Sequence, residues 1–412
     1  MTYKSFSKRT EWNTEETELT QTLRQRQAAG LPIADLTASN PTRCGFNYPP
    51  DLLAPLTDRA ALDYDPDPRG SLRARQAICR YYLDHGVLTE PEQVLLTTST
   101  SEAYGYLFKL LCDPGDSVLT LNPSYPLFDF LARAEAVEMI SAPLLYDHGW
   151  QIDLEGLRQA ILPTTRAIVL VHPNNPTGHF TKIEEANGLA AICREHGLAL
   201  IVDEVFLDYG VPTEGDDAAD QGSFAALNLD VLVFIVSGIS KICGLPQMKV
   251  AWLAAFGPGS QEALERLEIV SDTYLSMNTP IQRALPMWLT ARAGIQTQIR
   301  DRVQANLAEL DSALAVPAGA DRWVNRLKVE GGWYAILRIP ALRPDEITSR
   351  ELLDLGVLVH AGYFFGMGAS GWLVVSLLTG TEEFQSGIVT LLRYVTLNQE
   401  SNQTARNFNA SV

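Results

Sequence analysis

Uninterrupted apolar runs, separated by stretches of helical periodicity, punctuate the first two thirds of the chain. Val94-Leu-Leu96, Ala167-Ile-Val-Leu-Val171, Leu198-Ala-Leu-Ile-Val202 and Val231-Leu-Val-Phe-Ile-Val236 carry no polar alternation and are rich in β-branched residues. Such runs are characteristic of strands buried on both faces, as in a parallel sheet. Between them the apolar positions fall at helical spacing, beginning near Ala103 in the first case, so the pattern predicts an α/β fold: a mostly parallel sheet with helices on both faces. The last third changes character. A long helical pattern with Arg300, Arg302, Asn306 and Leu310 begins around Ala291, and after it Val329–Ile339 and Gly371–Leu377 read as strands and Asp345–Leu355 as a helix. The expected organisation is an N-terminal segment (1–47), a large three-layer αβα domain (48–290), a smaller α+β domain (291–397) and a polar, mobile tail (398–412).

Composition narrows the function classes. The 412 residues are 46% hydrophobic, enough for a large core and two domains, and 32 basic against 49 acidic residues give a net charge of −17. That charge argues against nucleic acid or an anionic membrane as partner. The five cysteines lie at least 33 positions apart, which suggests neither a disulfide framework nor a Cys-x-x-Cys metal site. With no apolar core of signal-peptide length in Met1–Trp12 and no run of 18 apolar residues, a soluble cytoplasmic protein is expected. The six histidines lack metal-ligand spacing, so no metal is expected. Gly366-Met-Gly-Ala-Ser-Gly371 fits G-x-G-x-x-G, but a strand-like Trp372-Leu-Val-Val375 follows it where a dinucleotide site needs a helix.

The candidate chemistry sits at strand ends, where ligands bind in open α/β sheets. Lys241, in Val236-Ser-Gly-Ile-Ser-Lys-Ile-Cys-Gly-Leu245, follows one buried run, placing an amine where it can form an imine with an aldehyde. Asp203 ends another, and a carboxylate there needs a cationic partner. Asn175, in His172-Pro-Asn-Asn-Pro-Thr-Gly178, follows a third. Ser99, Thr100 and Ser101 lie between a strand and a helix, where backbone N–H groups and hydroxyls bind phosphate. Taken singly, these are ordinary turns and N-caps; their conjunction and order carry the information.

Together these segments resemble the pyridoxal-phosphate site of the fold-type I, class I/II aminotransferases, over roughly residues 35 to 380. The resemblance implies pyridoxal 5'-phosphate as cofactor, a homodimer with shared active sites, and ping-pong transfer of an amino group between an amino acid and a 2-oxo acid. It implies that Lys241 binds the aldehyde and shuttles the proton, that Asp203 holds the ring nitrogen and Asn175 the ring 3'-oxygen, and that Tyr125 stacks on the ring. Tyr64 matches the tyrosine that reaches the phosphate from the neighbouring subunit, and the segment Asp35–Pro41 would pack on the smaller domain and line the entrance, with Ser39 near substrate.

Four positions depart from the family pattern. Lys249 stands where an arginine usually binds the phosphate, and Gly238 where a serine is usual, leaving Ser237 or Ser240 to serve. Phe206 replaces the tyrosine that donates to the 3'-oxygen. Val374 falls where an arginine clamps the substrate α-carboxylate, so Arg338 and Arg43 become candidates for that task. The same site supports elimination and decarboxylation, so a carbon–sulfur lyase or amino-acid decarboxylase is the alternative, and a non-catalytic cofactor-binding protein the reading from another class.

Overall fold

The computed structural model describes residues 5–212, 221–315 and 323–410. Its central sheet has eight strands in the order Val94–Thr97, Ala251–Phe256, Val233–Gly238, Ala199–Asp203, Thr165–Val171, Ser117–Asn122, Glu138–Tyr146 and Trp150–Ile152. The interior pairings from Val233–Gly238 through Glu138–Tyr146 are parallel, and the strands toward both edges run antiparallel.

The uninterrupted apolar runs have a direct physical cause. Successive side chains of a strand point to opposite faces, and here both faces are dry. Ile168, Leu170, Leu200, Val202 and Ile235 enter one core, packed by the helices Leu72–Asp84, Ile183–His196 and Thr279–Leu314. Ala167, Val169, Val171, Ile201 and Phe234 enter the other, packed by Thr100–Leu111, Phe128–Ala134 and Ser260–Tyr274. Each fully buried Leu, Ile or Val contributes about 1.5–3 kcal/mol.

The smaller unit is a four-stranded antiparallel sheet ordered Asn325–Arg326, Tyr334–Arg338, Trp372–Ser376, His360–Ala361. The helices Asp345–Asp354 and Thr381–Ala410 belong to it. The N-terminal segment joins this unit: Ala34–Asp35 pairs in parallel with Val357–Leu358, and Glu18–Ala28 packs on Asp345–Asp354. Two expected boundaries shift. The helix expected from about Ala291 starts at Thr279 and runs unbroken to Leu314, packing against both Leu72–Asp84 and the C-terminal helix, so the 290/291 division falls inside a shared spine. The expected tail (398–412) is helical through Ala410 as the end of the helix Thr381–Ala410, and its residues 411–412 lie outside the described residues.

A buried ionic knot ties the units together behind the Asn175 loop. Glu330 receives Lys328 Nζ at 3.0 Å, Lys182 Nζ at 3.1 Å and the Phe180 N–H at 3.0 Å. His179 lies between its carboxylate (3.4 Å) and that of Glu185 (2.9 Å). Gly178, at φ +73°, sits so close to Gly331 that a Cβ would stand 2.5 Å from the Gly331 carbonyl. His179, with Lys328 and Lys182 beside it, holds Glu330 far below the usual carboxylate range despite burial, and the two carboxylates hold His179 above its usual value. The stability from Glu330 is lost as pH falls below about 4.5, that from His179 as pH rises past about 6.5, so the knot contributes most between those values. Glu330→Gln is expected to cost about 1–3 kcal/mol near pH 6, because it removes the buried carboxylate that His179, Lys182 and Lys328 share. Urea unfolding checks this, and a loss below 0.5 kcal/mol would refute it.

Candidate active site

At the carboxyl ends of the central strands lies a cleft of about 320 Å³, closed on its other side by the N-terminal segment and the small sheet. It brings together Ser39, Ser99, Thr100, Ser101, Tyr125, Asn175, Asp203, Phe206, Ser240, Lys241 and Lys249, together with Tyr334.

Lys241 lies on the single turn Ile239–Ile242 that follows strand Val233–Gly238. Its ammonium makes no hydrogen bond among the described residues and lies 4.8 Å from the ring centre of Trp333 and 5.5 Å from that of Phe206. Burial pushes this amine down to about 8, with Asp203 opposing the fall. Asp203 closes the neighbouring strand; its carboxylate accepts from the Val205 N–H (3.0 Å) and the Tyr104 hydroxyl (3.2 Å). Burial raises it to about 6 against those two donors and Lys241. The next residue, Glu204, turns to the opposite side, where Ser223 Oγ and the Phe224 N–H hold it at 2.8 and 2.7 Å. Strand alternation thus gives two adjacent acids separate surroundings.

The Ser99–Ser101 segment opens the 12-residue helix Thr100–Leu111, with Ser99 Oγ capping the Glu102 N–H. Glu102 in turn fixes the loop by accepting from the Thr98 N–H (2.6 Å) and Ser276 Oγ (3.0 Å). Free N–H groups and the positive end of the helix face the cleft at this point. Lys249 follows the turn Pro246–Met248 in a left-handed conformation, φ +52°. Gly238 is explained by packing: a Cβ there would stand 2.9 Å from both Ala251 Cβ and the Val250 carbonyl.

Three expected residues, Ser237, Arg43 and Arg338, lie away from the cleft, and Tyr64, expected to serve a neighbouring subunit, also lies outside it. Ser237 is buried beside Gly238 but points to the other face of its strand, outside the cleft, with its hydroxyl unpartnered. Tyr64 is 80% exposed and borders a separate depression with Leu275 and Met277. Arg43 is exposed on the outer turn Pro41–Arg43. Arg338 shares a strand face with Tyr334 but stands four residues on, roughly 13 Å along the strand. There its guanidinium donates to the Ser370 carbonyl (2.8 Å) and lies over Trp372 at 4.2 Å. Conversely, Trp333, Tyr104 and Tyr334 belong to the site and were not expected there. The Gly-Gly-Trp-Tyr run at 331–334 was the available signal, because paired glycines before two aromatics mark a close backbone approach.

The residues fit pyridoxal phosphate. Among the described residues the buried amine of Lys241 makes no hydrogen bond, a desolvated carboxylate stands ready for a cation, and the Asn175 carboxamide lines the same cleft. A polar cradle for an anion lies at the helix N-terminus. Among the described residues no cluster of three or more His, Cys, Asp or Glu is placed to hold a metal, and no helix is long and apolar enough to cross a membrane.

Comparison with known proteins gives a consistent result. The family described as aminotransferase class I and II matches residues 58–386. An alanine aminotransferase of Mycobacterium tuberculosis is 29% identical over 313 residues, 71% of each chain. An aspartate/prephenate aminotransferase of Thermus thermophilus is 25% identical over 372 residues, 88% of this chain and 91% of that one. Among solved structures, an alanine aminotransferase from Pyrococcus furiosus superimposes with a TM-score of 0.81 at 22% identity, covering 95% of this chain and 100% of that one.

Proposed function

The chain belongs to the class I and II aminotransferases, pyridoxal-phosphate enzymes that move an amino group between an amino acid and a 2-oxo acid, and from that premise we propose how its cleft divides the work. When bound, pyridoxal phosphate supplies an aldehyde for Lys241 and then the substrate amine, and a ring that takes up the electrons of the broken Cα–H bond. Lys241 would take the proton from the substrate Cα as base and deliver it as acid to the cofactor carbon that carried the aldehyde. Asp203 pairs with the protonated ring nitrogen, which repays the desolvation that raises its own pKa. Tyr104 and the Val205 N–H fix the orientation of that carboxylate. Asn175 would donate to the ring 3'-oxygen, Tyr125 would cover the ring face, and Ser99, Thr100, Ser101, Ser240 and Lys249 would hold the phosphate.

The observation that carries this reading is the buried, unbonded amine of Lys241 beside the end of the strand that presents Asp203. We further propose a cytoplasmic homodimer in which Tyr64 completes the partner's site, supported by the exposure of Tyr64 (80%) and Leu62 (81%). Purified protein should show a visible absorbance band that Lys241→Ala removes and that amino acids bleach; absence of the band with added pyridoxal phosphate would refute the assignment. Lys249→Met should raise the Kd for pyridoxal phosphate by about 10- to 100-fold, through loss of one charge-assisted hydrogen bond. Equilibrium dialysis checks this, and an unchanged Kd would remove Lys249 from the phosphate site.

A further inference from the structure

Substrates of this reaction carry a carboxylate, which inside a cleft needs a cation or a set of donors. Among the described residues lining the cleft the cations are Lys241 and Lys249, both assigned above to the cofactor, and no guanidinium lines it. Val374 is fully buried and cannot donate, and Arg338 is held at the far end of its strand. The wall built by the N-terminal segment and the small sheet presents instead Ser39 and Tyr334.

These two hydroxyls are pre-organised. Tyr334 pairs across the sheet with Ser376. Ser376 Oγ donates to the carbonyl of Ala38, the residue before Ser39, and the Ser376 N–H donates to Leu36 at 2.6 Å. The segment carrying Ser39 is therefore pinned to the strand beside Tyr334, although the two residues lie far apart in sequence. Burial raises the Tyr334 phenol to about 12, with Ser39 easing the rise, so the phenol remains a donor at any working pH.

Building on the aminotransferase reading, we propose that Ser39 and Tyr334 form the subsite for the substrate carboxylate, gripping it with two neutral hydroxyls in place of a guanidinium. Neutral donors bond to a carboxylate oxygen only about twice as strongly as to a carboxamide or alcohol oxygen, so specificity at this end is set by shape and hydrogen bonding more than by charge. The holoenzyme should react with L-alaninamide and L-alaninol at single-turnover rates within about tenfold of that for L-alanine. Ser39→Ala and Tyr334→Phe should each weaken binding of 2-methylalanine, which has no Cα hydrogen and cannot turn over, by about tenfold. KM for L-alanine should rise alongside, with kcat and the cofactor band retained, and Ser39→Thr should restore binding. A preference for the carboxylate of about 10³-fold or more, the mark of a desolvated cation, would overturn the proposal. So would an unchanged Kd in both variants. Failure of the holoenzyme to react with any amino acid would overturn the aminotransferase reading itself, a separate result.

Discussion

Lys241→Ala is expected to lower the rate of amino transfer by at least about 10⁴-fold, the upper end of what a positioned acid–base group contributes. The loss exceeds that of any neighbour because one amine performs two tasks, holding the aldehyde and moving the proton. Only the neutral amine attacks an aldehyde. Its depression from 10.5 to about 8 by burial means that a large share is neutral near pH 8. Association of pyridoxal phosphate with cofactor-free protein should therefore accelerate as pH rises through about 8 and level off above it. Stopped-flow absorbance checks the profile. A rate still climbing steeply beyond pH 10 would show that the amine is not desolvated, and retention of a tenth of the activity by Lys241→Ala would remove it from the chemistry.

Asp203→Asn should cut kcat by about 10²- to 10⁴-fold, a general acid–base-sized effect exerted through the electrostatics of the ring nitrogen. The same change should stabilise the cofactor-free protein. A carboxylate raised from 3.8 to about 6 is bound to its proton more tightly in the folded state. Its destabilising effect is thus absent below about pH 4, grows as pH rises toward 6 and is complete above that. At pH 8 the neutral amide should gain about 3 kcal/mol, the free energy that corresponds to a rise from 3.8 to about 6. Thermal unfolding of both cofactor-free proteins at pH 4 and pH 8 tests it. Equal stability at pH 8, or activity within tenfold of the parent, would mean that Asp203 is solvated or plays no part in the chemistry. Opposite signs for activity and stability are the signature of a group held in a costly place for function.

Much of this site was legible along the chain because its parts are local. Asp203, Asn175, Lys241 and Ser99 each occupy a strand end or a helix start, positions that short apolar runs and caps reveal without knowledge of the fold. The helix at Asp345–Asp354 and the strands Tyr334–Arg338 and Trp372–Ser376 were readable for the same reason. Legibility failed where a side chain's direction mattered. Ser237 and Ser240 are equivalent by composition, yet only Ser240 lines the cleft, because Ser237 is still within the strand, on the face opposite Gly238, whereas Ser240 lies on the turn Ile239–Ile242 beyond the strand end. Arg338 was a reasonable carboxylate partner until register and distance placed it beside Trp372 and Ser370.

The order of buried runs, turns and caps is a property of neighbouring residues, and by itself it determined the α/β class, the strand-end places of Asp203, Asn175 and Lys241, and the family likeness. Contacts such as Tyr104 with Asp203, Trp333 above Lys241, Glu330 against His179, and Ser39 beside Tyr334 join residues about 90 to 295 positions apart. No local pattern encodes such pairings, since each depends on how the two sheets and the N-terminal segment pack, and the tertiary structure alone decided them.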